Sequence, residues 1–158
     1  MDIIEGFYND PWPHPERLRM MGFLEDAGFN YYLYAPKMEP YHRQWWREPY
    51  PEAELMNFAE LIAAAHAHGI TFNYGISPGL DFNFRDPQEL ERLTAKLTSL
   101  FAAGVRSFTL CFDDIPARAG RRMALQQIEV VNQVHAFLQD LGPETEPVSY
   151  THLTLPTK

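Results

Sequence analysis

The feature that most constrains this chain is a repeated order of segment types. A short run of β-forming residues is followed by a loop, and the loop by an amphipathic segment that stops at a glycine. Residues 2–5 are the first such run, followed by the loop 6–13. "PHPERLRMMGFLEDAG" then reads as a helix ending at Gly28, with Leu18, Met21, Phe23 and Leu24 on one broad face. The order recurs with "FNYYLYA", the loop "PKMEPYHRQWWREPYP" and the helix "EAELMNFAELIAAAHAHG", ending at Gly69. It recurs again with "ITFNYGI", "SPGLDFNFRDP" and "QELERLTAKLTSLFAAG", ending at Gly104. The fourth round is "VRSFTLCF", "DDIPARAG" and "RRMALQQIEVVNQVHAFLQDLG", ending at Gly142. Strands separated by whole helices pair in parallel through right-handed crossovers, which places the chain in the α/β class.

Four βα units are half of an eight-stranded barrel, which takes about 250 residues. The 158 residues therefore fit either an open four-stranded sheet or half a barrel. In both, the strand C-terminal ends form the working face. The loops after strands are long and carry Tyr, Trp, Lys and Asp, whereas those after helices are short and centred on one glycine. No GxGxxG or GxxxxGK[ST] follows a strand, so nucleotide-binding readings lose their main support. The last stretch, "PETEPVSYTHLTLPTK", begins as a fair loop before a fifth strand. "VSYTHLTLPTK" then lacks helical period and has the look of a translated sequencing adapter. The reading divides the chain into a domain over 1–147 and a non-native tail over 148–158.

Composition narrows the partners. With 46% hydrophobic residues the chain can build one core. Its net charge of −8, without a basic stripe, argues against nucleic acid and against anionic membrane. No signal peptide precedes the first strand and no apolar run would span a bilayer, so a cytoplasmic location is expected if Met1 is the true start. The single cysteine, Cys111, makes no disulfide framework and reads as a small buried hydrophobe.

Each loop of the working face offers candidates. Gly6, directly after a strand, allows backbone to approach a ligand, and Tyr8 and Trp12 offer flat faces; a turn glycine with rim packing would look the same. Lys37, just past the second strand, can donate to a hydroxyl or carbonyl, or can simply be solvated. His42 lacks a Cys or His partner at metal spacing and reads as a loop hydrogen-bonder. His66 and His68 do not share a helix face and read as surface residues. Asp81 sits in turn chemistry, with nothing to set it apart from a turn aspartate.

The fourth loop opens with Asp113 and Asp114, straight after the apolar run "FTLCF". Helix capping would explain one aspartate. Strand side chains alternate in direction, but where strand gives way to loop the alternation relaxes and both carboxylates can reach one pocket. Two coupled acids titrate as a pair, leaving one anionic while the other carries a proton, which suits general acid and base work. A magnesium site is the rival use of such a pair.

Four motifs, "IEGFYNDPW", "YLYAPKMEPYHRQWWREPYP", "YGISPGLDF" and "FTLCFDDI", in this order and spacing, resemble glycoside hydrolase family 84. These are the β-N-acetylglucosaminidases that include O-GlcNAcases and enzymes called hyaluronidases. The likeness spans roughly residues 2–147. It implies the N-terminal half of a (β/α)8 TIM barrel and a substrate-assisted, retaining mechanism through an oxazoline, without metal or cofactor. It implies that Asp113 orients the acetamido nitrogen and that Asp114 protonates the leaving oxygen and then activates water. Gly6 and Lys37 would meet sugar hydroxyls, and Tyr8 would wall the pocket. The implied partner is an N-acetylglucosamine-bearing glycoconjugate or oligosaccharide; the oligomeric state is left open.

Two departures stand out: Asn9 where the family usually has a glycine, and Met38-Glu39 where acids often follow the lysine. Half a barrel would expose an unpaired edge at the fourth strand and an apolar inner face, favouring self-association and near-inactivity. A non-catalytic carbohydrate-binding module and a metal-dependent hydrolase using the aspartate pair are the competing functions.

Overall fold

Helices placed between strands leave the strands one way to pair, and the computed structural model, which describes residues 2–79, 81–112, 121–142 and 146–150, has that pairing. Strands β1 (Asp2–Glu5), β2 (Tyr31–Tyr34), β3 (Thr71–Ile76) and β4 (Ser107–Cys111) are followed in turn by α1 (His14–Asp26), α2 (Glu52–Ala67), α3 (Pro87–Ala102) and α4 (Arg121–Leu141). A fifth strand, β5 (Glu146–Tyr150), comes after α4. The sheet order is β1-β2-β3-β4-β5, every neighbour parallel. A doubly wound sheet reverses its order partway and carries helices on both faces. Here the winding never reverses, so right-handed crossovers put all the helices on one side, as in the arc of a (β/α)8 barrel.

The two faces of the sheet differ in chemistry. On the helix side, Tyr32, Tyr34, Phe72, Tyr74, Ile76, Phe108 and Leu110 are buried with Met21, Leu24, Phe58, Leu61, Leu93, Leu97 and Leu138 from the helices. Phe58 of α2 meets Tyr34 edge-on at 5.1 Å and Tyr74 at 5.7 Å between ring centroids. On the inner side, Ile4, Leu33, Asn73 and Ser107 lie in one register row. Asn73 donates to Ser107 Oγ at 2.6 Å and accepts from Thr109 Oγ1 at 2.8 Å, so these three buried polar groups satisfy one another.

Three expectations are corrected. Phe23 does not join the apolar face of α1: it is 62% exposed, while Met21 and Leu24 are fully buried. Two residues past Met21 is about 200° round the helix, which turns Phe23 to solvent. The fourth strand is not an edge, because β5 pairs with it from Glu146 opposite Ser107 to Tyr150 opposite Cys111. The described sheet ends at β1 and β5. The inner face is also not apolar throughout, given the Asn73–Ser107–Thr109 network beside the exposed Ile4.

The glycines that close the first three helices have positive φ, 77° at Gly28, 66° at Gly69 and 111° at Gly104, as left-handed caps require. Gly75 serves differently. A Cβ there would stand 2.9 Å from Ala35 Cβ and 3.2 Å from the Tyr34 carbonyl oxygen. Gly75→Ala is therefore expected to overpack β2 against β3 and to cost about 1–3 kcal/mol, read as a lower urea midpoint. An unchanged midpoint would show that this seam has room to spare.

Candidate functional site

The C-terminal ends of β1 to β3 carry three loops, and specific bonds join them, and the end of β4, into a rim. Loop 6–13 is tied to the second strand and its loop by Ala35 N–H to Glu5 O at 3.1 Å and Lys37 N–H to Phe7 O at 3.2 Å. The Arg43 guanidinium lies 5.7 Å from the centre of the Tyr8 ring. The second and third loops meet where Ser77 N–H donates to the His42 carbonyl at 2.9 Å. The third reaches the end of β4, since a Cβ on Gly79 would stand 3.2 Å from Phe112 Cα.

The predicted residues fall on this rim as follows. Gly6 follows β1 and is partly exposed, on the strand face that carries Ile4. Lys37 is partly buried, and its charge helps lower the pKa of His42 and opposes the rise at Cys111. Tyr8 is 57% exposed, on the outer rim. Asp113 and Asp114 lie outside the described residues, as does the end of the chain from residue 151. Cys111 is partly exposed rather than fully buried; burial still raises its thiol pKa, opposed by Lys37 and a Ser77 hydrogen bond. His66 is exposed, and His68 pairs with Glu25 of α1 at 2.6 Å.

Several charged residues that the sequence did not mark turn out to build the rim. Glu5 is fully buried at the end of β1. Its carboxylate accepts from Arg17 Nε at 2.9 Å and Nη2 at 2.8 Å, from Trp12 N–H at 3.1 Å and from the Tyr32 hydroxyl. Burial works against the Arg17 charge, yet the Glu5 bonds hold its pKa above the usual arginine value. With both oxygens engaged, Glu5 is a clamp for the first loop. Asp81 is likewise more than a turn residue: it accepts from Trp46 Nε1 at 2.9 Å and Arg47 Nη1 at 2.6 Å. Arg47 also reaches the buried Glu89 of α3, so the second loop is fastened to both the third loop and α3.

The second loop has its own polar core. Glu39 caps a 3-10 turn, Pro40–His42, by accepting from Tyr41 N–H at 3.0 Å and His42 N–H at 2.7 Å. Tyr50 donates to the same carboxylate at 2.8 Å and lies 2.9 Å from the Tyr74 hydroxyl, which leaves Tyr74 to donate to Tyr50. Burial raises the Glu39 pKa against the pull of these donors. His42, fully buried, faces the Gly75 carbonyl through Nδ1. A carbonyl only accepts, so Nδ1 carries a proton. Burial, with the nearby Lys37, Arg43 and Lys96 charges, lowers its pKa to about 4 against the Gly75 bond. These groups pair at sequence distances with no local signal; only the length and aromatic content of the loop hinted at a folded loop core.

Two cavities of about 300 Å³ are lined by none of Gly6, Tyr8 and Lys37. One sits between the 82–90 segment and α4, lined by Phe84, Gln126 and Gln133 among others; the other lies by the N-terminal ends of β3 and β4, beside Ile62 and Arg106.

Comparison with known proteins gives a consistent result. The family model described as beta-N-acetylglucosaminidase matches residues 2–155. The "Protein O-GlcNAcase" of Rattus norvegicus and that of Mus musculus are each 39% identical over 150 residues, covering 90% of this chain and 16% of theirs. A mutant of the Thermobaculum terrenum O-GlcNAc hydrolase superposes with a TM-score of 0.86 at 38% identity, over 94% of this chain and 34% of that one. The structure of CpGH84B gives 0.85 at 38% identity, over 95% and 26%. The chain thus spans about a sixth of the length of the rodent proteins.

Two outcomes are expected. Glu5→Ala leaves the Arg17 guanidinium and the Tyr32 hydroxyl buried without their acceptor and should destabilise by roughly 3–5 kcal/mol in denaturant titration; near-neutrality would refute the clamp. His42 gives a pH signature. Between its ordinary pKa of 6.5 and its folded value of about 4, the unfolded chain takes up a proton that the folded chain refuses. Its contribution to stability is therefore flat above 6.5 and falls as the pH drops toward 4. Wild type minus His42→Asn, compared by urea midpoint across pH 4–7, should show that slope, and a flat difference would contradict it.

Proposed function

Because this chain belongs to the β-N-acetylglucosaminidase family, we propose that it releases β-linked N-acetylglucosamine from a glycoconjugate or oligosaccharide with retention of configuration. The sugar's own acetamido oxygen attacks the anomeric carbon, the aglycone leaves, and water opens the resulting oxazoline. Asp113 orients the acetamido group and balances the charge that grows on it. Asp114 gives its proton to the leaving oxygen and takes one back from the attacking water. Lys37 donates to a sugar hydroxyl, the Gly6 backbone lies against the sugar, and Tyr8 walls the outer side.

The observation that carries this reading is the setting of Lys37. It follows the end of β2, and its charge reaches Cys111 at the end of β4. In the sequence Asp113 comes two residues after Cys111, and Asp114 comes next. An ammonium at a strand end, on a sheet whose inner face carries hydroxyls and an amide, suits a neutral, hydroxyl-rich ligand. The relatives named above support the same substrate class.

Five described strands are fewer than the eight that close a barrel, so the pocket offered by this chain is one-sided. We therefore expect the 158-residue chain to turn over an aryl N-acetyl-β-glucosaminide only near background. In a protein carrying all eight units, Asp114→Asn should lower kcat by about 10²–10⁴ for a poor leaving group, the usual worth of a positioned acid. Sugar binding should persist, chelator should leave activity intact, and NMR of the first product should find the β-anomer. An α-anomer, or unaltered turnover in Asp114→Asn, would sink the mechanism. Absence of turnover in the eight-unit wild type would favour a non-catalytic sugar-binding module.

A further inference from the structure

We propose that Lys96, on the outer helix α3, is a positioning residue for the sugar pocket: it anchors the 36–51 loop, and through that loop it sets Lys37. The inference rests on the reading of Lys37 as a sugar donor. Lys96 is 3% exposed, in the middle of an amphipathic helix where a leucine or methionine would pack without desolvating a charge. Its ammonium has no ion-pair partner among the described residues. It donates to the Glu48 carbonyl and lies 4.3 Å from the centre of the Tyr50 ring and 5.3 Å from that of Tyr41. All three partners belong to the second loop.

Those contacts take hold of the loop on both arms. Tyr41 is on the arm that leaves β2, and Glu48 and Tyr50 are on the arm that enters α2. Tyr50 passes the constraint on, because its hydroxyl donates to Glu39, and Glu39 caps the turn that begins three residues after Lys37. Lys37 is then fixed between that turn and its own N–H bond to Phe7. A buried cation on two ring faces and a carbonyl is directional, which a greasy side chain is not. This is a reason for a lysine at a site that packing alone would fill with a hydrocarbon.

The charge also gives the anchor a titration of its own. Burial lowers the Lys96 pKa to about 8, while the carboxylates of Glu39 and Glu48 pull the other way. The other groups that face it are the rings of Tyr41 and Tyr50 and the neutral His42. Tyr50 and its partner Tyr74 are held well above the usual tyrosine range, so their hydroxyls stay protonated as Lys96 gives up its proton.

Hydrogen exchange on the full chain reads the loop without any ligand. Lys96→Met should lower the protection of the Lys37, Trp45 and Glu48 amides by about tenfold, the scale of one lost charge-assisted hydrogen bond, with α1 and β1 unaffected. Lys96→Arg should restore most of it. In wild type the same protection should fall as the pH passes about 8, with no such step in Lys96→Met or in Lys96→Arg, whose guanidinium keeps its charge. N-acetylglucosamine is the binding probe, and Lys96→Met should weaken it in the same direction as Lys37→Met. Unchanged loop protection in Lys96→Met, or a uniform loss across the whole domain that arginine does not rescue, would overturn the anchor. If Lys96→Met does not fold, the wild-type pH step and its absence in Lys96→Arg decide alone. If Lys37→Met binds the sugar as wild type does, it is the role of Lys37 that fails. The anchor is then judged by exchange.

Discussion

Parallel pairing in sequence order is the constraint from which the rest follows. It forbids hairpins, so each strand needs a helix to carry the chain back, and the fixed hand of that crossover stacks every helix on the same side. It also sends every strand out at the same end. The first three loops therefore converge there without any instruction of their own, beside the end of β4. The opposite end needs only tight turns, and three left-handed glycines supply them.

Long loops at the working end create a second problem, because their backbone and charged groups must be held without a sheet. The solution is a set of buried or half-buried charges, each engaged by several partners. Glu5 fastens the first loop to α1 through Arg17, and Arg47 fastens the second loop to Asp81 and Glu89. Glu39, Tyr50 and Lys96 build a polar core within the second loop. Buried ion pairs add little net stability over hydrocarbon but are costly to break singly, which makes them specifiers of loop shape. On the proposed reading, a pocket that meets sugar hydroxyls within hydrogen-bond tolerance gains from that rigidity.

The sequence was legible where the physics is local. Period and glycine placement located α1 to α4. Legibility failed where partners are distant. Lys96 and Glu48 are 48 residues apart and Arg47 and Glu89 are 42 apart, so no window contains either pair. Glu5 resembled any acid at a strand end until Arg17 and Tyr32 were seen to fill its oxygens. Phe23 was placed on the apolar face because a broad stripe was drawn where only the Met21–Leu24 line is buried. The fifth strand was missed because Glu146–Tyr150 has weak alternation, and only pairing with β4 makes it a strand. Asp113 and Asp114, which lie outside the described residues, rest on their motif.

The most direct test is an NMR titration of the isotopically labelled chain with the thiazoline of N-acetylglucosamine, a stable mimic of the oxazoline intermediate. The account predicts amide shifts concentrated at Gly6, Lys37 and the 113–114 pair, and loss of those shifts in Asp113→Asn. Shifts centred instead on the outer cavity by Phe84, Gln126 and Gln133, or a response that Asp113→Asn leaves untouched, would contradict it.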